Sequence, residues 1–515
     1  MADLEDKSSF NEGSSSIEGS SSAEGSSLAE GSSSAEGSSS AEGSSSAEGS
    51  SSAEGSSLIK SLSELLDASA LFLGDDISDK YHADWSGADP CVPAALLKPK
   101  TTDELSKIMA LCHEHSQPVV VQGGLTGLAG GATPLTGEFA ISLERMNGIE
   151  ELDATAMTAT VLAGTPLQVL QEAADEQDLF MPLDLGARGS CSIGGNVATN
   201  AGGTEVIRYG MTRSLVLGLE AVLADGTVIS AMNKMVKNNS GYDLKHLFIG
   251  SEGTLGIVTK VVVQLQPKLL ASHTALCALE DYDSVIKLLA ELKRSLGSGL
   301  TGFELMWDNY FNKVLAVESD LQDPFTESHP FYLLVEYKDN ETALGAERFE
   351  SELFGHLESG LLTDAVVAQS HQDAAEFWRI RDGIGELFKV LGPVSNQDVS
   401  LPIRDIGIFA THLETRLKAK YSDIAVLLFG HIGDNNLHVC AYTGREEDKI
   451  TINEDIMLMI GEYSGAITAE HGVGVLKRDF LDQSRTAEEI ALMKTIKLAM
   501  DPKGILNPGR VINPD

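Results

Sequence analysis

The chain has 515 residues, of which 42% are hydrophobic and 22% are charged, so it is long enough for two or three domains of ordinary size. Its formal net charge is −39, and residues 1–57 hold eleven acidic residues and one lysine, which leaves −29 on the rest. This acidity argues against nucleic acid and anionic membrane surfaces as partners. No apolar run approaches the roughly 18 residues of a membrane-spanning helix.

Residues 1–57 are dominated by the repeat Ser-Ser-Ser-Ala-Glu-Gly, which recurs with a period of six residues. That period matches neither coiled coils nor collagen, and Gly/Ser-rich sequence with regular glutamates stays solvated. We therefore predict a disordered tail, natural or engineered. Because neither a secretory signal nor an Arg-rich transit peptide is visible at the start, the cytoplasm is the expected compartment, and a mitochondrial location stays open for a eukaryotic protein.

The five cysteines are scattered along the chain without Cys-x-x-Cys spacing, which argues against a disulfide framework and against a zinc knuckle.

The first folded segment, residues 58–270, is predicted as an α+β domain. A helix begins near Leu58, and a second follows Thr101 with its apolar residues at the spacing of one buried face. Strands are expected at residues 118–121, 158–162, 216–223 and 256–263, with glycine-rich connections between them.

A second domain, residues 271–466, alternates helical and strand-like segments, which is typical of an antiparallel sheet backed by helices. Helices are predicted at residues 283–296 and 341–357, and strands at residues 331–336 and 424–429. The C-terminal segment, residues 467–515, contains a helix with a capping box at Thr486 and Glu489.

Three glycine-rich loops offer many backbone N–H groups and few side chains, which is what a pyrophosphate requires. Simple turns are the alternative for any one loop alone. The candidate cofactor-binding residues are Gly123, Gly124, Leu125, Thr126, Gly127, Gly130 and Gly131 in the first loop, Gly186, Gly194, Gly195, Asn196, Thr199, Asn200, Gly202 and Gly203 in the second, and Gly253 and Ile257 in the third.

The loops match neither a P-loop nor the Rossmann fingerprint. Together they resemble the FAD-binding domain of the vanillyl-alcohol oxidase superfamily, and residues 238–256 resemble its D-2-hydroxyacid dehydrogenase branch. The resemblance covers residues 60–515 and implies that fold, FAD as cofactor, and a C-terminal segment in which Asn507 returns to the flavin. Members with covalent FAD often carry a histidine after the first Gly-Gly, whereas residues 122–126 read Gln-Gly-Gly-Leu-Thr, so non-covalent FAD is expected.

Two histidines, His431 and His438, flank the turn sequence Gly433-Asp-Asn-Asn436 between two apolar strands. A hairpin at that turn would bring the two imidazoles to the separation of cross-strand neighbours, where they can share one divalent ion. Histidines of the core or surface are the alternative when the pair is taken alone.

Glu470 and His471 pair a carboxylate with an imidazole inside a glycine-framed stretch, and a solvated surface pair is the alternative. The family resemblance implies that His431, His438 and Glu470 bind a divalent metal, zinc or manganese, and that His471 is the catalytic base. A metal bound to the substrate hydroxyl lowers its pKa, and a neutral imidazole can take the proton while flavin N5 takes the hydride.

Because the protein is so acidic, an anionic substrate needs a cation close to its binding position. The resemblance implies that Arg381 binds the substrate carboxylate. A guanidinium can form two hydrogen bonds to a carboxylate. A surface salt bridge of Arg381 with Asp382 or Glu386 is the alternative.

The resemblance implies oxidation of a D-2-hydroxy acid, with hydroxyglutarate favoured over lactate, glycolate or another acid. In relatives that oxidise hydroxyglutarate, Thr, Lys and Asn are expected near the distal carboxylate, whereas this chain has Gly385, Asn396 and Cys440, so the substrate stays open. The rival classes are a non-redox FAD-containing transferase and a flavin-bound structural subunit. The expected electron acceptor is an electron-transferring flavoprotein or a quinone, and homodimerisation stays open.

Overall fold

The computed structural model describes residues 48–513, so the predicted tail lies outside the described residues as far as residue 47. Helix α1 spans Glu48–Leu65 and therefore starts inside the repeat, earlier than the predicted start at Leu58. The division of the chain at residue 57 stays a prediction. Leu58 and Leu62 are buried, and the turns before them extend a helix that these residues have already nucleated.

The first part of the chain builds two sheets and a two-stranded ribbon. Its strands are β1 (Leu71–Phe72), β2 (Ala95–Leu97), β3 (Val119–Gln122), β4 (Phe139–Ser142), β5 (Ile149–Asp153), β6 (Thr158–Leu162), β7 (Leu179–Phe180), β8 (Val216–Val222), β9 (Val228–Ala231), β10 (Ile257–Gln264) and β11 (Gln266–Pro267). One sheet has the order β1-β2-β4-β3, with β2 and β3 parallel to β4. The other has the antiparallel order β5-β6-β10-β8-β9, and β7 pairs with β11.

Short helices connect these strands. They are α2 (Thr102–Glu114), α3 (Leu167–Asp175), α4 (Ile193–Thr199), α5 (Val206–Tyr209), α6 (Thr212–Leu215) and α7 (Lys245–Phe248). The prediction for α2 is confirmed: Thr101 Oγ1 accepts a hydrogen bond from the N–H of Glu104 at 3.1 Å, and the apolar face is buried. The first glycine loop follows β3 and the third precedes β10, whereas the second runs into α4, which contains its residues Gly194, Gly195, Asn196 and Thr199.

The second part of the chain forms an antiparallel sheet, as predicted. The sheet has seven strands in the order β15-β12-β14-β13-β17-β18-β16. Its strands are β12 (Ala271–Leu279), β13 (Leu300–Trp307), β14 (Phe331–Asp339), β15 (Asp364–Val367), β16 (Ser395–Ser400), β17 (Ala425–Gly430) and β18 (Asn436–Tyr442). The accompanying helices are α8 (Tyr282–Ser295), α9 (Asp308–Val317), α10 (Thr342–Glu358), α11 (His371–Arg381), α12 (Ile384–Leu391), α13 (Ile406–Lys420) and α14 (Glu446–Glu462), followed by α15 (Ala487–Met500) near the C-terminus.

Helices cover both faces of this sheet. Along β14, Leu333, Val335 and Tyr337 join the core under α8, α10, α13 and α14, whereas Tyr332 and Leu334 join the core under α9, α11 and α12. This alternation is the period of two that a strand imposes on its side chains. We call the side under α9, α11 and α12 the α9 face.

The strand register brings charged residues together at one end of the α9 face. Leu305 pairs with Gly430 across β13 and β17, which places Glu304 beside His431 at the strand end. Asp398 and His438 are direct cross-strand partners on β16 and β18.

From Ala53 onward the described chain forms one compact unit. The sheets change near residue 270, at the boundary expected between the first two domains, and the division into separate domains stays a prediction. In residues 48–513, no helix combines the length and the apolar character needed to cross a bilayer.

Candidate active site

A cavity of about 580 Å³ is lined by the three glycine loops on one side and by Arg381, His431, Glu470 and His471 on the other. All but two of the predicted cofactor residues line it, namely Gly123, Gly124, Leu125, Thr126, Gly127, Gly131, Gly186, Gly194, Gly195, Asn196, Thr199, Gly202, Gly203, Gly253, Ile257 and Asn507. Most residues singled out for cofactor binding therefore share one cavity with Arg381, His431, Glu470 and His471, whereas the predicted metal ligand His438 does not line it.

The two exceptions are Gly130 and Asn200, which do not line the cavity wall. A Cβ at Gly130 would lie 2.6 Å from a methyl group of Val475, so this glycine permits close packing against the C-terminal segment. Asn200 ends α4 in the left-handed conformation, and its Oδ1 accepts a hydrogen bond from the N–H of Arg213 at 2.9 Å. Both residues therefore support the conformation of the loops without lining the cavity.

Glycine is required on the wall because backbone lies against backbone there. A Cβ at Gly124 would lie 2.1 Å from the carbonyl oxygen of Ser190, and one at Gly203 would lie 1.9 Å from that of Asp184. Both carbonyls belong to the main chain, so neither can move away by a change of side-chain rotamer. The resulting wall of exposed main chain is suited to a dinucleotide, whose phosphates bind backbone N–H groups at close range.

Asn507 ties the first and third loops together from the C-terminal segment. Its Oδ1 accepts a hydrogen bond from the N–H of Val121 at 2.8 Å, and its Nδ2 donates to the carbonyl of Glu252 at 2.6 Å. The Glu252 carboxylate in turn accepts hydrogen bonds from the N–H groups of Val473 at 2.7 Å and Gly474 at 2.8 Å. Glu252 thus joins the cofactor loops to the segment that carries His471.

His431, His438 and Glu470 come together as a potential metal-binding cluster, with one donor atom from each lying within 4.8 Å of the others. The two histidines meet across the β17–β18 hairpin, where their ring centroids are 5.3 Å apart. Burial and the neighbouring His431 lower the pKa of His438 well below its ordinary value, so its imidazole is neutral at pH 7. Two nitrogens and one carboxylate form a donor set that zinc and manganese accept.

Glu304 lies beneath this cluster and contacts two of the predicted residues. Its Oε1 is 2.8 Å from His431 Nδ1, and its Oε2 is 2.8 Å from both Nε and Nη2 of Arg381. Burial alone would raise the pKa of Glu304, but the charges of His431 and Arg381 outweigh it and lower the pKa to about 2. Burial alone would lower the pKa of His431, but the negative charge of Glu304 outweighs burial and raises the pKa of His431 to about 9.

Arg381 ends α11 with its side chain buried and its guanidinium over the ring of Phe429 at 5.3 Å. It also donates from Nη1 to Asp382 Oδ1 at 3.1 Å, so the predicted alternative of a salt bridge with Asp382 is present alongside the cavity position. A buried guanidinium on a cavity wall can bind a carboxylate in a setting where solvent competes little.

His471 lies on the cavity wall beside Asp398, which the sequence analysis did not single out. Asp398 Oδ2 accepts hydrogen bonds from the N–H groups of Ala469, Glu470 and His471 at 3.1, 2.8 and 2.9 Å, and it lies 3.9 Å from His471 Nδ1. Burial lowers the pKa of His471, although the Asp398 charge opposes this shift. The imidazole is therefore neutral at pH 7 and can accept a proton.

Glu304, Asp398 and Glu252 are the site residues that sequence reasoning missed. A signal existed for the first: Glu304 interrupts the apolar strand β13, whereas Asp398 lies among the polar residues of β16 and is buried nonetheless. A carboxylate in the middle of a buried strand requires a partner, and here the partners are the functional residues themselves.

Two of the three positions linked to a distal carboxylate form a neutral pair next to the site. Asn396 and Cys440 are cross-strand partners, and Cys440 Sγ lies 3.4 Å from Asn396 Oδ1. Burial raises the pKa of Cys440 to about 12, so the thiol is uncharged. The third position, Gly385, lines the cavity and contributes no side chain to it.

Comparison with protein families finds a FAD binding domain over residues 93–231 and the C-terminal domain of FAD linked oxidases over residues 270–511. The mitochondrial D-2-hydroxyglutarate dehydrogenase of Arabidopsis thaliana is 42% identical over 434 residues, which are 84% of this chain and 77% of that protein. The D-2-hydroxyglutarate dehydrogenase of Xanthomonas citri pv. viticola is 39% identical over 88% of this chain and 96% of its own length.

Among solved structures, p-cresol methylhydroxylase matches with a TM-score of 0.73 at 16% identity, covering 90% of this chain and 97% of that one. Alkyldihydroxyacetonephosphate synthase matches with a TM-score of 0.68 at 16% identity, covering 88% and 84%. At such identity these likenesses concern the fold alone, and they confirm the predicted vanillyl-alcohol oxidase type. The close relatives confirm a dehydrogenase rather than a transferase or a structural subunit. The chain is an FAD-dependent oxidoreductase and belongs to the D-2-hydroxyglutarate dehydrogenase family of FAD-linked oxidases.

Proposed function

We propose that this protein oxidises a D-2-hydroxy acid to the 2-oxo acid, with D-2-hydroxyglutarate as the favoured substrate. The relatives named as D-2-hydroxyglutarate dehydrogenases support the substrate. The observation that carries the proposal is the shared cavity, in which the glycine-lined wall faces a buried arginine, a metal-type donor cluster and a neutral imidazole.

Arg381 binds the substrate carboxylate in this proposal, and its contact with Glu304 fixes the direction in which the guanidinium faces. The remaining N–H groups of Arg381 can receive a carboxylate on the cavity side. A carboxylate bound there would set the position of C2 and of its hydroxyl relative to His471.

His471 acts as the base that removes the proton of the substrate hydroxyl. Burial keeps its imidazole neutral, and Asp398 stabilises the imidazolium once the proton has arrived. The hydride from C2 leaves in the same reaction, for which bound FAD supplies the acceptor atom N5. The hydroxy acid thereby loses one proton and one hydride and becomes the 2-oxo acid.

A divalent metal, zinc or manganese, fits the residues present. His431, His438 and Glu470 would hold it, and the cluster offers the ligand types that such ions take. The ion would make the substrate hydroxyl more acidic, which lowers the demand on His471. Gly202 lies against the Glu470 carboxylate. A Cβ at Gly202 would lie 2.3 Å from Glu470 Oε1, so glycine leaves room for this carboxylate.

FAD is held without a covalent bond in this proposal. The residues that follow β3 are two glycines, Leu125 and Thr126, and none of them offers an imidazole or a thiol for attachment to the flavin. Acid precipitation should release the flavin into the supernatant, and flavin that stays with the precipitate would contradict the proposal.

A smaller substrate is the second candidate, and the Asn396–Cys440 pair favours it. This pair is uncharged, so it provides no ionic partner for a second carboxylate. D-lactate is the acid to compare. We further propose that an electron-transferring flavoprotein or a quinone reoxidises the flavin. Eukaryotic relatives are named as mitochondrial, and the compartment and homodimerisation of this protein stay predictions.

The experiment that tests the proposal is anaerobic titration of the FAD-loaded protein with D- and L-2-hydroxyglutarate, D-lactate and glycolate, with zinc and manganese measured on the same sample. D-2-hydroxyglutarate should bleach the flavin and yield the 2-oxo acid, and its L-enantiomer should leave the spectrum unchanged. Absence of bleaching with every acid would refute the proposed function. Preferential bleaching by D-lactate would establish the second candidate instead.

A further inference from the structure

Glu304 is buried on β13 and makes close contacts to two side chains with different tasks. One carboxylate oxygen faces Arg381, through Nε and Nη2, and the other faces His431 Nδ1, each at 2.8 Å. Its side chain is 2% exposed, so water contributes little to satisfying its charge. In the described residues, no other carboxylate contacts both Arg381 and a member of the potential metal cluster at hydrogen-bonding distance.

We propose that Glu304 is a positioning residue that fixes the carboxylate-binding Arg381 and the metal-binding His431 in one rigid arrangement. The proposal rests on the proposed function for the tasks of these two residues, and on the contacts above for their connection. Glu304 lies in the interior of a paired strand, which is more precise as a support than a loop.

For His431, the contact decides which ring nitrogen is free. A carboxylate can only accept, so Nδ1 keeps the proton that points to Glu304, and Nε2 is the nitrogen that would bind an ion once it has released its own proton. Nη2 of Arg381 lies 3.2 Å from Nδ1 and 3.1 Å from Nε2. This Nη2 is therefore nearly equidistant from the two ring nitrogens.

For Arg381, the contact occupies the Nε edge of the guanidinium. The cation is thereby neutralised on the protein side and keeps donors for the cavity side. Because one short side chain holds both partners, the distance between the carboxylate-binding group and the metal-binding group is set by Glu304.

The test is Glu304→Gln in the FAD-loaded protein, which keeps the size of the side chain and places an amide between the two partners. The amide oxygen still suits Arg381, so the NH₂ group must face His431, and Nδ1 then becomes an acceptor. The proton moves to Nε2, and the imidazole loses its free donor for the ion. The zinc dissociation constant, measured by competition with a chelating dye, should rise by about 10–100-fold.

Two further readouts separate positioning from a merely structural role. Excess zinc should restore most of the turnover number of Glu304→Gln, since the ligand is weakened rather than removed. Glu304→Asp keeps the charge with a shorter reach, so it should retain zinc more tightly than Glu304→Gln and show a raised KM for the hydroxy acid. If Glu304 only supported the fold, Glu304→Gln would lower the fraction of folded protein. The folded protein would then keep the wild-type zinc dissociation constant.

Glu336→Gln is the matched control, because Glu336 is a buried carboxylate on the adjacent strand β14 and does not line the cavity. Its Oε2 pairs with Lys338 Nζ at 3.0 Å. It should leave zinc affinity unchanged. Wild-type zinc affinity in folded Glu304→Gln would overturn the inference. A wild-type protein that binds no zinc and bleaches with no acid would instead remove the proposed function, so the two failures are distinguishable.

Discussion

Asp398 holds His471 from the backbone side: its Oδ2 accepts the N–H of His471 at 2.9 Å and lies 3.9 Å from the imidazole Nδ1. The same oxygen accepts the N–H groups of Ala469 and Glu470. One buried carboxylate therefore organises the segment that carries both the proposed base and a proposed metal ligand.

Asp398→Asn should shift the acid limb of the kcat/KM profile to lower pH. The Asp398 charge raises the pKa of His471, so its removal lowers that pKa, and the imidazole stays neutral and active to a lower pH. The rate on the plateau should fall by about 10–100-fold, because the N–H groups of the segment then donate to an uncharged amide oxygen and the base is held less firmly. The measurement is kcat/KM from pH 5 to pH 9 for both proteins.

Thr468→Val is the comparison variant, since it removes a single 3.2 Å hydrogen bond to the same carboxylate and leaves its charge. It should keep the acid limb in place. An acid limb of Asp398→Asn that coincides with that of the wild-type protein would contradict the electrostatic role.

Arg381→Lys should raise the KM for the hydroxy acid by about tenfold or more, since a point charge replaces a planar fork with two donors. The turnover number should fall less than kcat/KM. Arg379→Lys is the matched control on the same helix, because Arg379 pairs with Glu318 and Asp320 at the surface. Equal KM values for the two variants would show that Arg381 does not bind the substrate.

Gly124→Ala should abolish tight FAD binding, because the new Cβ would lie 2.1 Å from the carbonyl oxygen of Ser190 and the loop must move. Flavin content after gel filtration and the FAD dissociation constant give the readout. Gly355→Ala adds the same methyl group on helix α10, where it meets nothing within 4 Å, and should keep the flavin. Full flavin occupancy in Gly124→Ala would rule out the requirement for glycine at this position.

The parts of the site that could be predicted from sequence are those with a local signal. Gly433 and the asparagines after it predict the reversal that joins β17 to β18, and His431 and His438 lie close together there, although the direct cross-strand partner of His438 is Phe429. The C-terminal helix has the capping box predicted at Thr486 and Glu489. In each case residues a few positions apart determine the geometry.

Glu304 could not be placed in the site from sequence, because its partners lie 77 and 127 residues away along the chain. The same applies to Asp398, which reaches the His471 segment over about 70 residues. A carboxylate inside an apolar strand indicates that a partner exists, but only the order of strands in the sheet identifies it. The start of α1 was misplaced for another reason: the repeat has no apolar pattern, so its helical extension leaves no periodic signal.

Glu138 and Arg510 form a buried ion pair that anchors the C-terminal segment, and Arg510 also donates to the carbonyl of Pro508, next to Asn507. Glu138→Gln leaves the guanidinium buried without its counter-charge, which should lower the free energy of unfolding by about 3–5 kcal/mol. Urea denaturation with and without FAD measures the change, and the FAD-dependent part of the stability should shrink because Asn507 loses its support. Asp423→Asn, at an exposed ion pair with Arg445, should leave the midpoint nearly unchanged. Equal midpoints for the two variants would mean that the anchor depends on the backbone contacts of this segment rather than on the ion pair.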